Sequence, residues 1–376
     1  MTIARASLLL VAGFVIGVAV TRYYDTHRPE PLARVDFSRE PLWAYGFTDQ
    51  PKAGDTAQPQ APPTSKPRAN QDLPEQLRPR RVDGSDASYS LVQIRDLHNV
   101  IDWFPDDHPK MTPIIEHGPG AMRDVARGCG SCHLPNGRGR PENAPTAGLP
   151  MAYFIRQIDD FRHGLRRTAD PRKPNTNTMI DLAKAISDAE LQEAATYFAS
   201  IPPPATPWIR VVESDVAPKT RIVGNLFLPG KGGGSEPIAG RIVEMPEDEE
   251  QGDTLRNPHS GFVAYVPPGS LRAGEDLVTT GGMRVVDGRI IQGRTTACAT
   301  CHGPNLTGIT DVPPIAGRSP SYIVRQLWDI QQGTRRGSQA QLMKLVVANL
   351  TPDDMRAIAA YVASRPPSPS VIRPSN

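Results

Sequence analysis

The sequence has almost no excess charge of either sign. Its 42 lysines and arginines stand against 40 aspartates and glutamates, a formal net charge of +2. That balance gives no reason to expect a nucleic-acid partner, which would show as a strong basic excess. It also lacks the uninterrupted helical stretches of a continuous bundle, because 40 prolines and 32 glycines are spread through 376 residues. Such a composition places linkers between compact pieces, and the length suits two or three domains. Cysteine is scarce: there are four, all in two short clusters. A βαβ pattern around them is missing, which argues against a thioredoxin-like redox pair.

One apolar run stands out, ASLLLVAGFVIGVAV from Ala6 to Val20. It is long for a signal-peptide core and short for a spanning helix. Adding Ile3, Ala4 and Thr21, with Arg5 snorkelling, brings it to membrane width. Tyr23 and Tyr24 then fall at the interface. Residues 1–27 are expected to form an N-terminal membrane helix, the alternative being a cleaved signal. Either one puts the remainder outside the cytoplasmic membrane. Residues 28–88 are proline-rich and aperiodic, with a single apolar cluster at Leu42–Phe47, and read as an extended Pro-rich linker.

The cysteine clusters, Cys129-Gly130-Ser131-Cys132-His133 and Cys298-Ala299-Thr300-Cys301-His302, repeat at an offset of 169 residues. The same offset pairs Pro145 with Pro314, Ala147-Gly148 with Ala316-Gly317, and Tyr153 with Tyr322. It also pairs Arg156-Gln157 with Arg325-Gln326, Gly164 with Gly333, and Arg166-Arg167 with Arg335-Arg336. After a five-residue deletion the register continues, with Met179 on Met343 and Tyr197 on Tyr361. A domain has been duplicated. Within each copy the period is helical: Tyr153, Phe154, Ile155, Ile158 and Phe161 form one stripe, and Ser187–Glu190 reads as a capping box before the last helix. Thr351-Pro352 opens the matching helix of the second copy.

Two cysteines three apart, followed at once by histidine, form the attachment signal for a c-type haem. On one helical turn both thiols reach the vinyl groups of one porphyrin, and the imidazole turns to the iron. Zinc ribbons place their paired motifs roughly 15–20 residues apart, far closer than here. Two covalent haem c groups are therefore expected, with Cys129, Cys132, Cys298 and Cys301 as attachment points and His133 and His302 as proximal ligands. Met179 and Met343, 46 and 41 residues beyond those histidines and equivalent in the repeat, are the candidate distal ligands. Methionine sulfur raises a haem potential and closes the iron to external ligands. A ligating imidazole needs an acceptor for its other nitrogen, and the carbonyls of Pro145 and Pro314 are the repeated candidates. Tyr153, Tyr322, Arg156 and Arg325 are candidates for the haem surroundings, including its propionates.

With these residues in view, the chain resembles the class I cytochrome c family in tandem, as in periplasmic diheme cytochromes c. The shared pattern is CxxCH, P-x-AG, Y-x-x-x-Q, G-x-R, a distal Met and a last helix carrying Tyr197 or Tyr361. The resemblance implies a mainly α fold with cytochrome c domains at 89–204 and 281–368. A small β-rich insert at 205–280 separates them, and a tail occupies 369–376. The insert contains strand-like runs at Ile209–Val212, Arg221–Val223, Arg241–Val243 and Gly261–Val266, and it argues against a close approach of the two haems. Its acidic run, Glu244 to Asp253, reads as a solvated loop. The implied function is one-electron transfer in the periplasm between redox protein partners, without substrate chemistry. The alternatives are a diheme peroxidase-type enzyme, or the electron-accepting subunit of a dehydrogenase or oxidase complex.

Overall fold

In a computed structural model of the chain, residues 37–52, 55, 73–204 and 207–367 are described. The expected membrane anchor (1–27) and the tail (369–376) lie outside them. Among the described residues no helix is long and apolar enough to cross a membrane.

The architecture is mainly helical, and the two repeats fold alike. In the first, helix Met151–Arg162 buries Tyr153, Phe154, Ile158 and Phe161 against Leu191, Ala194, Ala195 and Phe198 of helix Asp188–Ser200. Ser187 caps the second of these. Its hydroxyl accepts from the Glu190 N–H at 3.3 Å, and the Glu190 carboxylate accepts from the Ser187 N–H at 2.8 Å. Helix Pro174–Ala185 carries Met179 between them. The second repeat sets out Pro320–Gln331, Ala340–Val347 and Pro352–Ala363 in the same order, with Thr351 and Asp354 forming the equivalent cap.

The repeated Ala-Gly step has a mechanical role. Gly148 and Gly317 sit at φ of 65° and 68°, a region glycine enters without steric cost. Each donates its N–H to a carbonyl of its own last helix, Phe198 at 3.1 Å and Val362 at 3.0 Å. A Cβ at either position would meet Pro203 at 2.9 Å or Pro367 at 3.0 Å. Glycine and the prolines after the last helix thus close each repeat on itself.

Between the repeats, strand Ile209–Glu213 runs parallel to Phe262–Val266, whose other edge pairs antiparallel with Val243–Pro246. A hairpin of Thr220–Val223 and Leu226–Pro229 adds to this β layer, over a core of Phe227, Ile238, Val243, Met245 and Val263. The end of the segment read as insert differs from expectation. Ser270–Thr280 is a helix that crosses Pro352–Ala363. Gly274 permits the crossing, since a Cβ there would lie 2.0 Å from the Ala357 carbonyl oxygen. By its packing this helix goes with the second repeat, ahead of the boundary drawn at 281. The acidic run is not wholly solvated either: Glu244 is buried and accepts from the Ser319 hydroxyl at 2.8 Å.

The segment read as a linker (28–88) is ordered in two places. The apolar cluster Leu42–Phe47 docks on helix Pro320–Gln331 rather than facing water. Tyr45 is fully buried and its hydroxyl donates to Asp329 Oδ1 at 2.7 Å, while the Arg172 guanidinium lies 4.0 Å over the Phe47 ring. Further on, Val82 joins a small core with Leu91, Ile94, Trp103, Phe104 and Leu255.

The insert does not hold the repeats apart. They meet directly where Arg166 and Arg335 form an antiparallel bridge. The Arg167 N–H donates to Thr334 O at 2.8 Å and the Arg336 N–H to Leu165 O at 2.7 Å. The packing yields a first prediction. Gly274→Ala should lower unfolding stability by about 3 kcal/mol, the upper end for overpacking. Gly232→Ala, in open space, should stay within about 0.5 kcal/mol of the natural chain in the same denaturant titration.

Candidate functional site

Cys129–His133 forms one helical turn entered through Gly128, where a Cβ would collide with the Glu116 carbonyl at 2.3 Å. That close approach seats the turn against the neighbouring Pro113–Glu116 turn. Cys129, Cys132 and His133 all face one cleft, whose atom-free space is about 1400 Å³ with its open mouth included. Met179 lines the same cleft, together with Leu149, Phe154, Ile158 and Phe198. The walls are therefore chiefly apolar, with two thiols, one imidazole and one thioether sulfur among them. Burial pushes the Cys129 thiol up to about 12 and the Cys298 thiol up to about 11, with the neighbouring cysteine adding to each shift.

Both histidines are fixed the same way. His133 Nδ1 lies 2.7 Å from Ala144 O, and His302 Nδ1 lies 2.8 Å from Pro313 O. A carbonyl only accepts, so each Nδ1 carries the proton and each Nε2 presents its lone pair. Burial lowers the pKa of both rings, partly opposed by those same carbonyl hydrogen bonds. Neutral, oriented imidazoles are what a metal ligand requires. The acceptors are one residue earlier than the sequence reading placed them. The Pro145 and Pro314 carbonyls instead accept from Arg318, Nη1 at 2.6 Å and Nε at 2.5 Å. One buried guanidinium thus ties the two proline loops together across the repeats.

The tyrosines and arginines also divide differently from expectation. Arg335 Nη2 donates to the Tyr153 hydroxyl at 2.8 Å and to Gln157 Oε1 at 2.9 Å. Arg166 Nη2 donates to the Tyr322 hydroxyl at 3.3 Å and to Gln326 Oε1 at 2.9 Å. Each repeat's arginine serves the other repeat's tyrosine and glutamine, the reciprocity of an isologous contact. Arg156 points away from the cleft and pairs with Asp311 at 3.1 Å. Its repeat partner Arg325 is buried and lines the cleft, but its guanidinium is occupied by Ala44 O at 2.6 Å and Pro141 O at 2.7 Å. Two residues in the cleft region had no role in the sequence reading. Lys173, 1 % exposed, lines the cleft wall, and Arg318 spans the two repeats. Recurrence marked Arg166 and Arg335 in the sequence; nothing comparable marked Lys173 or Arg318.

Around the second motif, Cys298 is partly exposed and Cys301 exposed, while His302 is buried. Met343 is half-buried on helix Ala340–Val347, flanked by Leu342 and Leu345 at 69 % and 80 % exposure.

The site features in both repeats are those of a protein that holds haem by thioether bonds. Comparisons with known proteins give the following similarities. Residues 292–366 match the family described as cytochrome c. The thiosulfate dehydrogenase electron acceptor of Thiomonas intermedia is 25 % identical over 249 residues, 65 % of this chain and 82 % of that protein. Cytochrome c4 of Stutzerimonas stutzeri is 23 % identical over 243 residues, 62 % of this chain and 82 % of its own. A solved cytochrome c4 of Acidithiobacillus ferrooxidans superposes with a TM-score of 0.40 at 19 % identity, covering 63 % of this chain and 98 % of that one. The second repeat thus matches the cytochrome c family, and the chain over both repeats is similar to diheme cytochromes c; its two CxxCH motifs are those that hold haem c covalently, in keeping with electron transfer between redox partners.

The reciprocal seam gives a second prediction. Arg166→Ala and Arg335→Ala share Gln157 and Gln326 as partners. Their unfolding free energies should therefore be non-additive, by about 1–3 kcal/mol in a double-mutant cycle. Additive losses would show that the two guanidinium groups act separately.

Proposed function

We propose that the chain is a diheme electron carrier of the periplasm whose two irons are each closed by histidine and methionine. His133 with Met179, and His302 with Met343, would hold the two irons, and the four cysteine sulfurs would form the thioethers. The observation that carries this reading is the repeated geometry. A CxxCH turn occurs twice, each histidine has Nδ1 tied to a carbonyl, and an equivalent methionine follows in each copy. A bound haem supplies a one-electron iron couple with its potential raised by the thioether sulfur. The chain's own residues do the rest. Ala144 and Pro313 hold the imidazoles neutral and oriented, the apolar walls would keep water from the first iron, and Met179 would leave it no open coordination position. A closed iron on each side favours carriage over peroxide chemistry. Direct packing of the repeats supports exchange of electrons within the molecule.

For the donor, the similarity to a thiosulfate dehydrogenase electron acceptor supports a dehydrogenase that delivers electrons to this chain. Covalent attachment is consistent with maturation outside the cytoplasm. There the Ala6–Val20 run would tether the molecule to the membrane, with the insert available as a docking module.

A redox titration followed by absorption tests the reading. Two c-type haems per chain should appear, both low-spin in the oxidised state. Met179→Ala and Met343→Ala should each turn one haem high-spin and lower one of the two potentials. A low-spin spectrum that survives both substitutions would rule out these methionines as ligands. Turnover with peroxide by the natural chain would favour the enzyme alternative.

A further inference from the structure

Beside the first cleft, three carboxyl groups from distant parts of the chain are buried together: Glu40, Asp170 and Asp329, at 8 %, 0 % and 5 % exposure. Two of them are provided for. Asp170 accepts from Arg172 Nη2 at 2.6 Å and from the Arg172 N–H at 2.9 Å. Asp329 Oδ1 accepts from the Tyr45 hydroxyl and from the Ala169 N–H, both at 2.7 Å. Glu40 has neither kind of donor, and both of its carboxyl oxygens are buried without a hydrogen bond. Burial without a donor, with two other carboxyl groups nearby, destabilises the carboxylate relative to the neutral acid. Asp329 lines the same cleft as His133, so the cluster adjoins the space that a first haem would occupy. The other charges around it are Arg172, Lys173 and Arg325. Lys173 Nζ is 3.4 Å from Tyr45 O, and Arg325 is committed to backbone carbonyls.

We propose that Glu40 takes up a proton when an electron arrives at the first haem and gives it back when the electron leaves. The first site would then carry hydrogen ions together with electrons. The proposal rests on the first cleft holding a haem. Its balance is simple. One electron from the redox donor takes ferric iron to ferrous and lowers the local charge by one. One proton from solvent converts the Glu40 carboxylate to the acid and restores that charge, and re-oxidation reverses both. The only bond made or broken is the O–H of Glu40. Coulomb coupling at low effective dielectric makes the two events favour one another. Burial, with Asp170 and Asp329 adding and Arg172 opposing, raises the Glu40 pKa to about 8, so the exchange falls within an accessible pH range.

Potentiometric titration of the full-length diheme protein, from about pH 6 to about pH 10, tests this. One of the two midpoint potentials should fall by up to about 59 mV per pH unit in the region around Glu40 titration, while the other stays level. In Glu40→Gln, which keeps shape and removes the titration, the slope should vanish and the second potential should not move. Separately, reduction of the natural chain in unbuffered dye solution should take up protons, and the variant should take up fewer. A slope unchanged in Glu40→Gln, or no slope and no uptake in the natural chain, overturns the proposal. Failure of the haem assignment itself would look different, because fewer than two redox waves would be found.

Discussion

Two arginine side chains lie between the repeats, and a buried guanidinium is tolerated only where acceptors wait for its N–H groups. Arg166 and Arg335 find theirs on the opposite repeat, in tyrosine hydroxyls and glutamine carbonyls that are themselves related by the duplication. The relative placement of the two halves follows from this constraint. So does the composition of the first cleft, whose wall includes Tyr322, Gln326 and Asp329 from the second repeat. The insert between the repeats is accommodated at the side, where Glu244 reaches the start of helix Pro320–Gln331 through Ser319 and Ser321.

The two sites have grown apart within this frame. At the first, Lys173 and Asp329 stand in the wall, with the Leu42–Tyr45 turn, Glu40 and Asp170 buried beside them. At the second, the motif is preceded by a hairpin, Arg284–Val286 with Arg289–Ile291, whose residues are all exposed. The stretch at the same distance ahead of the first motif, residues 115–122, opens with Ile115, which is fully buried. Duplication preserved the two CxxCH turns and the carbonyl contacts of their histidines, and left the surroundings free to diverge.

What the sequence made legible was local or repeated. The cysteine turns, the caps at Ser187 and Thr351, the Tyr153–Phe161 stripe and the duplication all have signatures a few residues long, or recur. What it hid depends on contacts between distant segments. Leu42–Phe47 reads as one apolar cluster in a proline-rich stretch until a receiving groove on helix Pro320–Gln331 is known. Ser270–Thr280 holds Gly274 in its middle, a poor helix former, required there by close approach to Ala357. The histidine acceptors were misplaced by one residue, since the direction of a carbonyl in a proline loop is a matter of backbone angles and not of residue type. Arg156 and Arg325 are equivalent in the repeat yet meet unrelated partners, so recurrence alone does not assign a role.

The wall that Tyr322, Gln326 and Asp329 lend to the first cleft bears on the order of biogenesis. Synthesis runs from the N-terminus, so the earlier pair of thiols emerges well before the stretch that completes its enclosure. The leading half must wait, its porphyrin pocket open on one side, until the trailing half has been made and has folded against it. Maturation machinery would thus have a natural interval in which to reach the earlier thiols, and that interval ends when the trailing half closes over them.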